Sequence, residues 1–171
     1  VIGHVVTRVA LRSMVQEATE FTPYGWTHCL TMPHAVMSLA DVCPDPVAAV
    51  VATTQVLGFR AAFAPDPLDL GWMPDRRPGD AIDWLEGSPD DAAAAAWHLD
   101  VEARPALWRE LATRASLHHD AHLVKYVDAC LRVCADDPSH EHVAAAAAAK
   151  LVAWWHQHDG GSGEGDAYAG P

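Results

Sequence analysis

Apolar residues recur along this chain at intervals of three and four rather than two, so the pattern predicts helices throughout. Val5, Val6, Val9, Leu11 and Val15 mark a first helix from Ile2 to about Glu20, and Thr22-Pro23-Tyr24-Gly25 interrupts it. Trp26 to Met32 leads into Pro33, a residue suited to a first helical turn, and a second helix is expected from there to about Ala40. His28 falls at or just ahead of that start. Asp45-Pro46-Val47 combines a capping aspartate with a first-turn proline. It opens a third helix reaching about Phe63 that is apolar nearly all round, and such a helix is expected at the centre of the fold.

Pro65, Pro67, Pro74 and Pro78, with Gly71 and Gly79, describe a long irregular connection over 64–80, a lid or packing loop and the segment expected to be most mobile. Ser88-Pro89-Asp90-Asp91 is a strong helix start, with a capping serine and acids in the positive first turn. The alanine-rich helix it opens ends near His98. Pro105 begins a helical pattern that continues to about Ala135, and Asp137-Pro138 starts a last helix through Trp154 and Trp155. The segment from Gly160 is glycine-rich and polar and reads as disordered. The fold class is therefore all-α: a single compact multi-helix domain over 1–158, with a proline-rich loop and a C-terminal tail over 159–171. A start at Val1, without methionine and already helical in pattern, fits the C-terminal part of a longer protein.

Composition narrows the partners. Eleven Lys and Arg stand against 23 Asp and Glu, and the net charge of -12 repels phosphate backbones and anionic lipid alike. Nucleic acid and membrane are both excluded as expected partners, and no apolar run approaches the length of a membrane span. Cys29, Cys43, Cys130 and Cys134 are scattered without CxxC spacing, which suits free thiols in a reducing cytoplasm. GxGxxG, GxxxxGK and GxSxG are absent, so no nucleotide or esterase fingerprint is present and NADPH has no local binding motif.

Eleven histidines are many for 171 residues, and their clustering carries the candidate chemistry. In Leu117-His118-His119-Asp120-Ala121-His122-Leu123-Val124-Lys125, set within one long predicted helix, His118, His122 and Lys125 fall within roughly 60° on one face. Leu107, Leu111, Ala115 and Ala129 continue that face as an apolar seam. An ammonium buried on such a seam costs several kcal/mol unless it is paired, deprotonated or modified. The structural alternative is that Lys125 reaches solvent or pairs with Asp128 while the histidines are ordinary. Two imidazoles at i and i+4 also offer two metal ligands from one helix, and His28 is the best-placed further ligand, with His34 and His4 behind it. His156 and His158 read as surface residues.

Asp120-Ala121-His122-Leu123-Val124-Lys125, followed by Ala129 and an alanine-rich last helix, resembles the C-terminal motif of the questin-oxidase-like family. His28-Cys29-Leu30-Thr31-Met32 is similar to the same family's upstream histidine-threonine motif. The resemblance implies a helical oxygenase that opens or cleaves anthraquinone-type polyketide rings, by Baeyer-Villiger-type or ring-cleaving oxygenation. It implies a non-haem iron held by His28 and His122, with Lys125 as a carboxylated ligand. The remaining ligands would come from His118, His34 or His4, or from a missing N-terminal segment or a second chain that completes the site. Tyr24, Trp26 and Trp72 are expected to line a flat pocket for the small aromatic substrate. Two other readings compete. His119-Asp120 suggests a metal-dependent phosphohydrolase of the HD type using zinc or manganese. A non-catalytic helical binding module is the third.

Overall fold

The computed structural model describes residues 2–75 and 87–159. Among them the regular elements are seven α-helices and short helical turns, with no strand: α1 (Ile2–Gln16), α2 (Thr27–Val42), α3 (Val47–Phe63), α4 (Pro89–Trp97), α5 (Arg104–Leu117), α6 (Ala121–Asp136) and α7 (Glu141–Asp159). The tail expected from Gly160, and Pro78 and Gly79 of the expected connection, lie outside the described residues. Among the described residues no helix is long and apolar enough to cross a membrane.

The centre is α7. It packs against α1, α4, α5 and α6, and every residue from Val143 to Ala153 is buried. Its alanines meet Ala92, Ala93 and Ala96 of α4, also buried, and side chains this small let two helices lie close together. The start of α4 is as expected. Asp91 N–H donates to Ser88 Oγ and Ser88 N–H to Asp91 Oδ2, both at 3.1 Å, a reciprocal capping box.

The expectation for α3 fails. Of its residues only Ala52 and Val56 are buried, while Val47, Val50 and Leu57 are more than half exposed. It packs chiefly on α2 and α1. An apolar composition says that a helix can be covered, and the number of neighbours decides whether it is.

The buried lysine is also elsewhere. Lys125 is exposed on α6, so the cost argument made for it does not apply. Lys150, in the middle of α7, is fully buried. Its ammonium donates to the Val15 carbonyl at 3.2 Å and the Glu17 carbonyl at 2.8 Å, and pairs with Asp90 Oδ1 at 2.7 Å. Three acceptors satisfy its three protons. Burial pulls its pKa down, and the Asp90 carboxylate opposes that. α1 ends at Gln16, earlier than the expected Glu20, and the lysine takes the Val15 carbonyl in its last turn and the Glu17 carbonyl just beyond it.

Two further boundaries differ. Pro33 lies inside α2 and not in its first turn, because a π-helical turn over Thr22–Trp26 runs straight into the helix at Thr27. Thr27 Oγ1 donates to the Thr22 carbonyl at 2.9 Å across that turn. The pattern expected to run with little interruption from Pro105 to about Ala135 is two helices, separated at His118 to Asp120. The described part of the proline-rich connection is pinned to α1 rather than free. The Gln16 amide donates to the Asp69 carbonyl at 2.6 Å, and Arg12 donates to the Trp72 carbonyl at 3.2 Å. All four cysteines are free, as expected, with Cys29 and Cys130 buried.

Candidate functional site

The break between α5 and α6 builds the site. His118 takes an extended conformation (φ -78°, ψ 144°), and its Nδ1 accepts the Asp120 N–H at 3.0 Å. Asp120 then caps α6, its Oδ1 accepting the His122 N–H at 2.7 Å. Aspartate competes for local backbone donors in this way, which is why it ends the α5 pattern and starts a new helix. His118 and His122 are therefore on different elements, and the shared helical face expected for His118, His122 and Lys125 does not exist.

Capping leaves Asp120 at the centre of a small network. The same Oδ1 accepts the His122 ring Nδ1–H at 2.7 Å, and Oδ2 accepts the Tyr24 hydroxyl at 3.1 Å. Burial pushes the Asp120 carboxyl up, but the His122 backbone and ring and the Tyr24 hydroxyl outweigh it, and the group is held below the ordinary carboxylate range. It is an anion that takes the His122 Nδ1–H as its donor and thereby fixes the orientation of that ring.

His28, at the start of α2, meets the His122 ring edge to face, with centroids 5.0 Å apart and planes at 85°. Desolvation lowers its pKa, the nearby His122 and Lys125 lower it further, and the Tyr24 carbonyl only partly offsets this. His28 is thereby kept as a neutral imidazole. Phe59 of α3 stacks against it at 6.4 Å, and Tyr24 packs edge-on to His122 at 5.0 Å.

Beside this pair, α5, α6 and α7 enclose a cleft of about 440 Å³ lined by Arg114, Leu117, His118, Leu123, Val152 and Trp155, among others. Tyr24 bridges the two, its ring 6.2 Å from Trp155 and 5.0 Å from His122. His118 packs on Trp155 at 4.9 Å and so belongs to the cleft wall.

Of the expected residues, then, His28, His122, Lys125 and Tyr24 are brought together. Trp26 is fully buried against Phe63 and cannot wall an open pocket. Trp72 packs on Trp97 and lines a different hollow, beside Val15 and Asp90. His34 and His4 line another, with Asp41 and Asp136, and do not substitute at the His28 site. His119 is exposed and stacks on His118, while the Asp120 carboxylate is turned to His122, so the His119-Asp120 dipeptide does not face one point. Asp120 as orienting anion and Trp155 as cleft wall were not anticipated. The signal for Asp120 was available, since an aspartate two residues before a histidine suits an N-cap.

The His122 imidazole has one nitrogen engaged by the Asp120 carboxylate and one turned elsewhere, the arrangement in which proteins commonly present histidine to a metal. Among the described residues no group of three or more His, Cys, Asp or Glu is gathered to hold an ion. Two imidazoles thus fit part of a ligand set, with Lys125 within electrostatic reach of His28. No family model, characterised protein or solved structure matches the chain.

Proposed function

We propose that this chain carries the imidazole half of a metal centre, and that the centre is the non-haem iron site of an oxygenase acting on a small aromatic substrate. The observation behind this is the pair His28 and His122, whose rings meet at 5.0 Å, with Nδ1 of His122 held by the Asp120 carboxylate. Bound iron would supply open positions for dioxygen. The chain's own residues do the rest. Asp120 stays anionic and holds the orientation of the His122 ring, burial keeps His28 neutral, and Tyr24 links the pair to the aromatic cleft where a planar substrate would lie against Trp155.

Lys125 stands three residues after His122 and near His28. Carboxylation would give it an anionic oxygen, but being exposed it needs no modification to be tolerated, so its role rests on position alone. No residue in this site suggests NADPH. The HD-type phosphohydrolase finds no support in the separated His119 and Asp120 side chains. The binding-module reading has one observation in its favour, the uncovered apolar face of α2 and α3, and metal content separates it from the oxygenase.

The test is anaerobic titration of Fe(II), or Co(II) as a spectroscopic substitute, into the wild type, His122→Ala and Asp120→Asn. His122→Ala should abolish the stronger binding event, and Asp120→Asn should weaken it about 10- to 100-fold while leaving the helix content intact. A wild type that takes up no metal, or a His122→Ala variant of unchanged affinity, ends the proposal.

A further inference from the structure

The outer surface of the α2–α3 hairpin is the least explained part of the molecule. Met32, Leu39 and Val42 on α2, and Val47, Val50, Val51 and Leu57 on α3, are between 38% and 84% exposed. Their spacing puts them on the helix faces turned away from the core. Thr54, Gly58 and Ala61 continue the α3 stripe with small side chains, and a Cβ added at Gly58 would meet nothing within 4 Å. Seven large apolar side chains exposed on one hairpin are more than scattered singles, and a contiguous patch of that kind marks an interaction surface.

Charge says what could cover it. From Thr27 to Phe59 the only Asp, Glu, Lys or Arg are Asp41 and Asp45, both at the α2–α3 turn, in a chain whose net charge is -12. Two copies would repel one another at most faces and meet without opposed charges here. An anionic lipid surface would be repelled by the same excess of acid. The acids of the hairpin are gathered at one end. The turn carries Asp41 and Asp45, so two copies packed in the same direction would bring four carboxylates together. Copies turned end for end keep the two acidic turns apart.

We infer that this face is a homodimer interface, in which α3 packs antiparallel on the partner's α3, crossing at Thr54 to Gly58, with the two acidic turns at opposite ends. Interlocking of small residues at the crossing and apolar burial along both stripes hold it, and the two-fold closes the assembly at two chains.

Sedimentation velocity of the full chain across a wide concentration range tests this. The expected mass is twice 18.4 kDa, falling to one chain in a Val50→Asp/Leu57→Asp variant whose circular dichroism is unchanged, with dissociation at least about 100-fold easier. In a Cys43→Ser background, Thr54→Cys should form a disulfide between copies under mild oxidation. Cys43 itself, at the turn, should not, because the antiparallel arrangement separates the two turns by about a helix length, roughly 25 Å. A single-chain mass at every concentration overturns the inference. So does a dimer that survives both aspartates, or one cross-linked through Cys43. Binding of the monomer to phosphatidylcholine vesicles would assign the face to lipid instead.

Discussion

Two helices of nearly the same chemistry end in opposite places. Both α3 and the stretch Val143–Ala153 of α7 are rich in alanine and valine, and only one of them contains a charge in its middle, yet the charged one is the core. The other, α3, whose one charge is Arg60 in its last turn, lies outside with two buried residues. What separates them is the number of faces that find a partner: α7 is surrounded by α1, α4, α5 and α6, and α3 leans on α2 and α1. A cation can occupy the centre if its three protons meet three acceptors, as at Lys150, and an apolar stripe can face outward if a further surface covers it. Hydrophobicity is a condition on what a helix may touch, and topology decides what it does touch.

The largest effect expected is at Lys150. Lys150→Met keeps the length of the side chain but leaves the Val15 and Glu17 carbonyls without their donor, and should destabilise the fold by about 3 kcal/mol in denaturant unfolding. Lys125→Met should change stability by less than about 0.5 kcal/mol, because that side chain is exposed. If the two lysines responded alike, the contrast between buried and exposed cation would be wrong.

A smaller effect separates the helices themselves. Ala147, fully buried in α7, has no room for branches; Ala147→Leu should cost about 2 kcal/mol through overpacking. Val50→Leu, the same kind of enlargement on the outer face of α3, should be within about 0.5 kcal/mol when measured at concentrations low enough for single chains. A comparable cost at Val50 would mean that α3 is covered within its own chain.

How far this was legible in the sequence follows from the range of each signal. The all-α class, the capping box at Ser88 and Asp91, and the start of α3 after Asp45 and Pro46 depend on residues close in the chain, and local pattern conveyed them. The single long helix assumed from Pro105 to about Ala135 failed for a local reason too: alanine and leucine spacing outweighed the competing aspartate at 120, whose hydrogen bonds to His122 interrupt the helix. That error carried into the site, where it put His118 on the wrong element. The pairing of His28 with His122 joins segments nearly a hundred residues apart, and came from motif resemblance and residue type rather than periodicity. The identity of the buried lysine was not legible from a helical wheel at all. Lys125 sat on an apparent apolar seam, whereas Lys150 is buried by contacts with Val15, Glu17 and Asp90 that no local pattern contains, although a lone cation within an alanine run was a signal worth following.

The smallest effect expected is electrostatic, and it distinguishes the imidazole pair from the rest of the histidines. His28 takes its proton in the unfolded chain near the ordinary value of about 6.5, while in the folded chain burial and the neighbouring His122 and Lys125 hold its pKa lower. Between those values the unfolded state binds more protons, so stability falls as pH falls through that window. Asp120 adds the same sign at lower pH, since its carboxylate is stabilised in the fold and that stability is lost as it protonates. His34 and His142, also lowered by burial, slope the same way, so the comparison must be made against a variant. In metal-free buffer, the loss of urea stability from pH 7 to 5.5 should be shallower in His28→Gln by a few tenths of a kcal/mol, a modest figure because the ring is only half-buried and solvent screens it. An unchanged slope would place the proton-sensitive packing at His34 or His142, and His28 would then be an open imidazole with no burial to keep it neutral for a metal.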